Sequence, residues 1–316
     1  MKKHIRIYND MNRFTIDWTL NTLCTYKCSY CTPQLYAGKN FLYSKEEDPI
    51  LMKEFLEKLK HDLGNRRSVH MFLNGGEPTI SPSIETILDF CNDNDWSAYV
   101  NTNGSRSMEW WREYARKAFK ITISYHPESV DDEIFDKVAY IGTQTNVGVY
   151  VLMYPPYWDK AMAAYERFAK SDLTLGVSRV FKRNEQKPSV SYEYTDEQLA
   201  WMDKNSLRFS SGFRDYNEHN AYGRTLVQYD DGSEEILNEV EFTNNLKNSF
   251  TGWSCNMGMD HIFIDSFGRI KTATCPKAPL VANSIKEYNG LLKNPIICPE
   301  QYCMCTLDVQ IPKQPL

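Results

Sequence analysis

The sequence predicts an α/β protein whose main body is a parallel sheet wound by βα crossovers into a full or partial barrel. A smaller region bearing a β-hairpin follows it. Three observations carry this prediction. Apolar, β-branched runs recur from about residue 14 to 182, segments of helical periodicity lie between them, and after residue 254 the chain changes to in-out alternation with clustered cysteines. Strand and helix taking turns implies βαβ units and a parallel sheet. Such crossovers are right-handed, and their repetition curls the sheet.

In chain order the strand runs are "FTIDWTLN" (14–21), "SVHMFLN" (68–74), "SAYVNTN" (97–103), "KITISYH" (120–126), "NVGVYVLMY" (146–154) and "TLGVSRVF" (174–181). Helices are expected at 46–63, 83–93, 107–119, 131–141 and 157–171. Residues 183–194 read as a loop. A further helix opens at Thr195, because Thr195 and Gln198 form a capping-box pattern. Residues 206–254 are polar and irregular, with a hairpin expected around 227–237, turned at Asp231-Gly232. "HIFIDSFGRIKTATC" (261–275) reads as a β-hairpin ending on a cysteine, and "SIKEYNGLLK" (284–293) as a short helix.

Bulk properties narrow the function. The chain has 316 residues, 42% hydrophobic and 24% charged, as in a globular protein with a sizeable core. Its net charge of −5 supplies no basic field for non-specific nucleic-acid binding. "MKKHIRIYND" opens the sequence with no apolar run behind its lysines, so it is not read as a signal peptide. No stretch approaches a membrane span, and a cytoplasmic location is expected. Nine cysteines in that reducing compartment point to metal or redox chemistry.

Three of them, Cys24, Cys28 and Cys31, lie just after the first predicted strand, spaced C-x3-C-x2-C. Parallel αβ architectures place ligand-binding loops there. Three thiolates can hold three irons of a [4Fe–4S] cube and leave the fourth open to a substrate or cofactor. The alternative is a structural zinc loop, in a zinc-stabilised binding module without chemistry. Zinc knuckles prefer paired C-x2-C units with a fourth ligand nearby, and the next cysteine, Cys91, falls in an amphipathic helix.

The loop resembles the signature of radical SAM enzymes, C-x3-C-x-aromatic-C, with Tyr30 in the aromatic position. The resemblance implies a partial (β/α)6 radical SAM barrel. It also implies S-adenosylmethionine (SAM) chelated to the open iron, with Tyr30 beside the adenine. Reductive cleavage of SAM would give a 5′-deoxyadenosyl radical that abstracts hydrogen from a substrate. Such chemistry belongs to the cofactors, while the protein supplies position and shielding.

Further motifs fall on successive strand ends, the face where barrel enzymes assemble their sites. "FLNGGEP" (72–78) supplies Gly75, Gly76 and Glu77, which in the family receive the methionine amino group; glycines permit close backbone approach. "VNTNGS" (100–105) offers Asn101 and Asn103, and "ITISYHPE" (121–128) offers Ser124 for the SAM ribose or carboxylate and His126 for SAM or substrate. "VYVLMYPP" (149–156) should set Leu152 or Met153 against adenine, Met153 being preferred; a core role explains both equally well. A deazaguanine-synthase-type enzyme also carries a GGEPT stretch, but needs no C-terminal cysteine set.

That set is Cys255, Cys275, Cys298, Cys303 and Cys305, spaced C-x19-C-x22-C-x4-C-x-C around the predicted hairpin. It resembles the twitch or SPASM extension, and implies a second, auxiliary [4Fe–4S] cluster that passes electrons to or from a substrate radical. Four positions face five candidates, and which of the last three is spare stays open; a zinc site is the alternative here too. The implied organisation is a barrel over 1–206, a linker over 207–254 and a small α+β twitch-like domain over 255–316. Tyr154, Tyr157, Trp158, Arg179, Lys182 and Arg183 lie where substrate usually enters, and the cations suit a carboxylate or phosphate. A small molecule or a peptide is the expected substrate, the latter as in peptide-modifying maturases. The expected reaction is an oxidation, dehydrogenation or rearrangement, with flavodoxin or ferredoxin as electron donor.

Overall fold

The structure, a computed structural model, describes residues 3–9, 13–31, 48–64, 68–182, 190–208, 225–237, 241–242, 247–303 and 305–316. Its centre is a run of six parallel strands in sequential order: β2 (Arg13–Thr19), β3 (Ser68–Asn74), β4 (Ser97–Thr102), β5 (Lys120–Tyr125), β6 (Asn146–Met153) and β7 (Thr174–Arg179). Between them run α1 (Pro49–Leu63), α2 (Ile84–Asp93), α3 (Met108–Tyr114), α4 (Glu133–Gly142) and α5 (Trp158–Phe168). This is the expected alternation. After β7 the short strands β8 (Phe181–Lys182) and β9 (Val190–Ser191) pair with each other, antiparallel. Helix α6 (Asp196–Lys204) follows, and both halves of its predicted capping box, Thr195 and Gln198, are formed.

Strand alternation sorts the side chains. Phe14, Ile16 and Trp18 of β2, Ile121 and Ile123 of β5, and Val149 and Val151 of β6 join the helices in one apolar core. The opposite, helix-free face carries Thr15, Asp17 and Thr19, then Asn74, Asn101, Thr122, Ser124, Tyr150 and Leu152, placed side by side by the register. From Asp17 onward these stay half-buried while their sequence neighbours are sealed. A sheet with helices on one side only curls away from them, so this polar face is the lumen of the partial barrel.

The sheet stays open. On one side β10 (Leu207–Arg208) pairs antiparallel with β7. On the other, β14 (His261–Ile264) pairs parallel with β2, and β15 (Ile270–Lys271) and β16 (Leu280–Ala282) extend it. The predicted hairpin is therefore continuous with the main sheet. Its turn is closed by Asp265, which accepts from the backbone N–H groups of Phe267 and Arg269.

A second sheet joins distant parts of the chain. Its order is β12 (Glu234–Leu237), β11 (Thr225–Tyr229), β1 (His4–Asn9), β18 (Lys313–Gln314), β13 (Ser254–Cys255) and β17 (Ile296–Ile297). The β11–β12 hairpin turns at Gly232, where φ is 81°. Strand β1 was not expected. Its alternation is short, and only Ile7 is sealed in the core. The helix expected at 284–293 is a single 3-10 turn, Ile285–Glu287. It ends because Tyr288 turns away to donate to Asp62 and Gly290 takes a φ of 120°.

Candidate active site

Strand β2 runs out into the three-cysteine loop, and the Gly-Gly-Glu segment after β3 clamps that loop from below. Gly76 N–H donates to Asn21 O at 2.9 Å and Glu77 N–H to Leu23 O at 2.7 Å, while Asn21 Nδ2 returns a bond to Glu77 O at 3.0 Å. A Cβ on Gly76 would lie 2.1 Å from Leu23 O, and one on Gly75 2.6 Å from Asn21 O. The close approach that the glycines permit is thus made by the chain's own backbone as it enters the cysteines.

Glu77 is fully buried, and its carboxylate is satisfied by protein donors. Oε1 accepts from Thr79 N, Thr79 Oγ1 and Thr102 Oγ1 at 3.0, 2.6 and 2.7 Å, and Oε2 from Asn103 N at 2.6 Å. Burial pushes the carboxyl up and these donors pull it back. It ties the end of β3 to the end of β4 and so fixes Asn103. Asn103 Nδ2 reaches Cys24 Sγ at 3.5 Å and Thr25 Oγ1 at 3.0 Å. Tyr26 N–H also lies 3.4 Å from Cys24 Sγ.

The other wall comes from β5 and the turn after it. Cys28 is buried, with His126 Nδ1 3.5 Å and Ser129 Oγ 3.3 Å from its sulfur. Tyr30 stacks on His126 at 6.0 Å, its hydroxyl 3.0 Å from Nδ1, and meets Tyr154 edge-on at 4.7 Å. Burial lowers the His126 imidazole to about 4. Ser29 donates through N to Glu128 Oε2 at 2.7 Å, and its hydroxyl lies 2.7 Å from Tyr154 OH. Residues 32–47 lie outside the described residues.

The sequence reasoning therefore named Cys24, Cys28, Cys31, Tyr30, Gly75, Gly76, Glu77, Asn103 and His126, and these meet around one loop. Asn101 and Ser124 sit on the lumen wall nearby. Met153 does not: it is fully buried in the helix-facing core, because strand alternation turns it away from the lumen. Leu152 takes the lumen side instead. Arg179 is drawn off by Asp203, at 2.8 Å, while the Lys182 side chain and Arg183 lie outside the described residues. Ser129, Glu128, Asn74 and Asp17 were missed. Asp17 and Asn74 were legible, since each is a polar residue on the lumen side of an apolar strand.

Four of the second group of cysteines gather in the smaller of the two apolar cores. Cys255, Cys275, Cys298 and Cys303 are buried in one apolar cluster with Ile7, Phe242, Phe250 and Val309. Cys275 and Cys303 share a hydrogen bond that pushes the first thiol up and the second down. Cys305 is half-buried at the start of a short helix, α7 (Thr306–Val309). Asp308 of that helix accepts from Cys275 Sγ at 3.2 Å and faces His261 Nε2 at 3.4 Å, all three being buried. Lys313, also buried, donates to the carbonyls of Asp308, Val309 and Ile311. Among the described residues no three His, Cys, Asp or Glu side chains converge as a single metal ion requires.

Comparison with known proteins agrees with this geometry. The profile of the Radical SAM superfamily matches residues 18–187. Among solved structures, Streptococcus suis SuiB bound to S-adenosylmethionine aligns at 13% identity and a TM-score of 0.52, covering 86% of this chain and 63% of that one. The enzyme anSMEcpe with bound AdoMet aligns at 14% identity and a TM-score of 0.50, covering 87% and 75%. At such identities the likeness is one of fold, and this chain spans less than two thirds of SuiB. No curated protein matches.

Proposed function

Since the chain belongs to the radical SAM superfamily, we propose that it uses SAM and a [4Fe–4S] cluster on Cys24, Cys28 and Cys31 to oxidise or rearrange an unactivated substrate in the barrel lumen. When bound, that pair supplies an electron to the sulfonium and a 5′-deoxyadenosyl radical that takes a hydrogen atom. The chain's own residues hold and shield it. The Gly75–Glu77 clamp sets the loop height, Asn103 and Tyr26 N–H donate towards Cys24 sulfur, and Ser129 lies against Cys28 sulfur. Such N–H···S and O–H···S bonds tune a cluster's potential. Tyr30, His126 and Tyr154 wall off water, while Asn101 and Ser124 offer polar groups to the nucleoside or the substrate.

We infer further that Cys255, Cys275, Cys298 and Cys303 would hold a second [4Fe–4S] cluster. These four share one apolar pocket, and Cys305, half-buried beside Asp308, is the spare thiol. A cluster with four protein thiolates has no open iron, so its role is electron transfer. An external flavodoxin- or ferredoxin-type protein delivers the electron for SAM cleavage.

The observation that carries this reading is the thiol triplet at the carboxyl end of β2, clamped by a Gly-Gly-Glu turn at the end of β3. Anaerobic reconstitution should give about eight irons per chain, and SAM with dithionite should release 5′-deoxyadenosine. The Cys24/Cys28/Cys31→Ala protein should keep about four irons and release none. Zinc in place of iron, or 5′-deoxyadenosine from the triple variant, would sink the reading.

A further inference from the structure

The chain repeatedly sets a cation between an aromatic ring and a carboxylate. Lys117 lies over the Tyr114 ring, 4.3 Å from its centre, and pairs with Asp89. Lys247 does the same for Tyr229, at 5.4 Å, and Glu235. At the barrel mouth, beside the cysteine loop, a ring pair and a carboxylate stand together again. Among the described residues no lysine or arginine lies over the Tyr154 or Tyr157 ring, and none pairs with Glu128.

Tyr154, just past the end of β6, is the hub. Tyr157 lies nearly parallel to it, with ring centres 5.8 Å apart, and Tyr192 meets it edge-on at 5.2 Å. Tyr154 is buried and Tyr157 is 41% exposed, so the group opens outward through Tyr157. Glu128, in the turn after β5, is half-buried and joined to the hub through Ser29. The Ser29 hydroxyl donates to Glu128 Oε2 at 3.1 Å and lies 2.7 Å from Tyr154 OH. Burial and then Tyr154 raise the Tyr192 phenol, and the Glu128 charge adds to the rise, so the carboxylate is within electrostatic reach of these rings.

We propose that the Tyr154–Tyr157 ring pair and Glu128 form a recognition site for an alkylammonium group, so that the substrate is a compound bearing a protonated amine. The inference rests on the radical reading above, which makes this mouth the substrate's way in. An aromatic face attracts a cation through the ring quadrupole, and a half-buried carboxylate adds a charge that salt screens only in part. A neutral group of the same shape gains neither. The free valence of Glu128 selects the kind of cation. Oε2 already accepts from Ser29 N–H at 2.7 Å and from its hydroxyl, while no donor among the described residues reaches Oε1. A guanidinium fork takes both oxygens of a carboxylate, whereas an ammonium is satisfied by one.

SAM carries cationic groups as well, so the test separates the two sources. It is binding of n-pentylammonium, with n-pentanol as its neutral isostere, to the reconstituted full-length protein by saturation-transfer NMR, with and without SAM. Wild type should bind the ammonium about tenfold tighter than the alcohol, with a Kd that SAM leaves unchanged. Glu128→Gln, which keeps an acceptor for Ser29, and Tyr157→Leu should each cut that preference to about threefold or less. Should Glu128→Gln lose iron, Tyr157→Leu, on the exposed side of the hub, decides alone. Equal binding of ammonium and alcohol, a preference that survives Tyr157→Leu, or an ammonium that SAM displaces overturns the proposal. Wild type that releases no 5′-deoxyadenosine sinks the radical reading, and the amine's place as substrate with it. Wild type that releases it without telling ammonium from alcohol sinks the ammonium site alone.

Discussion

His70 shows how single residues set the molecule's response to acid. It is 4% exposed on β3, its Nδ1 3.0 Å from Tyr99 OH, and burial together with the Arg13 charge lowers its imidazole to about 4. The unfolded value is about 6.5. Between those pH values the unfolded chain binds a proton that the folded chain does not, so stability falls as pH drops through the window. Asp17 runs the other way, because its folded value of about 6 lies above the unfolded 3.8. Denaturant titrations at pH 7 and pH 5 should show His70→Gln losing about 2 kcal/mol less than wild type over that interval. An equal loss in both proteins would remove His70 from the acid response. Glu77 works at the same scale through geometry: four donors on its carboxyl brace Asn103 and the cysteine loop, while burial raises its proton affinity.

Elements carry the next level, and the clamp between the β2 and β3 ends is the one to test. Gly76→Ala places a methyl group where Leu23 O already sits, at 2.1 Å. The loop must lift, so reconstituted Gly76→Ala should lose the N-terminal irons and keep about four in the C-terminal set. Full retention of iron would show that the loop tolerates the shift. The parallel strands were legible because each carries a continuous apolar, β-branched run, and α6 because its cap is a local pattern. The cysteine loop was legible from spacing alone. Strand β1 was not, since its partners β11 and β18 lie more than 200 residues away in sequence and its own six residues bury one side chain. The face of Met153 was misjudged because an all-apolar strand does not advertise which side looks inward; Asp17 and Asn74 do, because a polar side chain on a buried strand needs a partner or a cavity.

At the scale of the whole molecule, the two sheets bind the chain's beginning to its end. Strand β14 covers the edge of β2, and β18 pairs with β1. A chain ended at residue 254 would leave the outer edge of β2, the one β14 covers, unpaired beside the cysteine loop, an aggregation edge. It should be recovered mainly in the insoluble fraction, and a soluble monomer by light scattering would show that the barrel closes without its hairpin. The same seam has a consequence for synthesis. About 240 residues separate β2 from β14, which at ribosomal speed is a wait of roughly 12 to 50 seconds. Through that interval the nascent polypeptide lacks the strand that covers β2 and carries its cysteine loop beside an uncovered sheet edge.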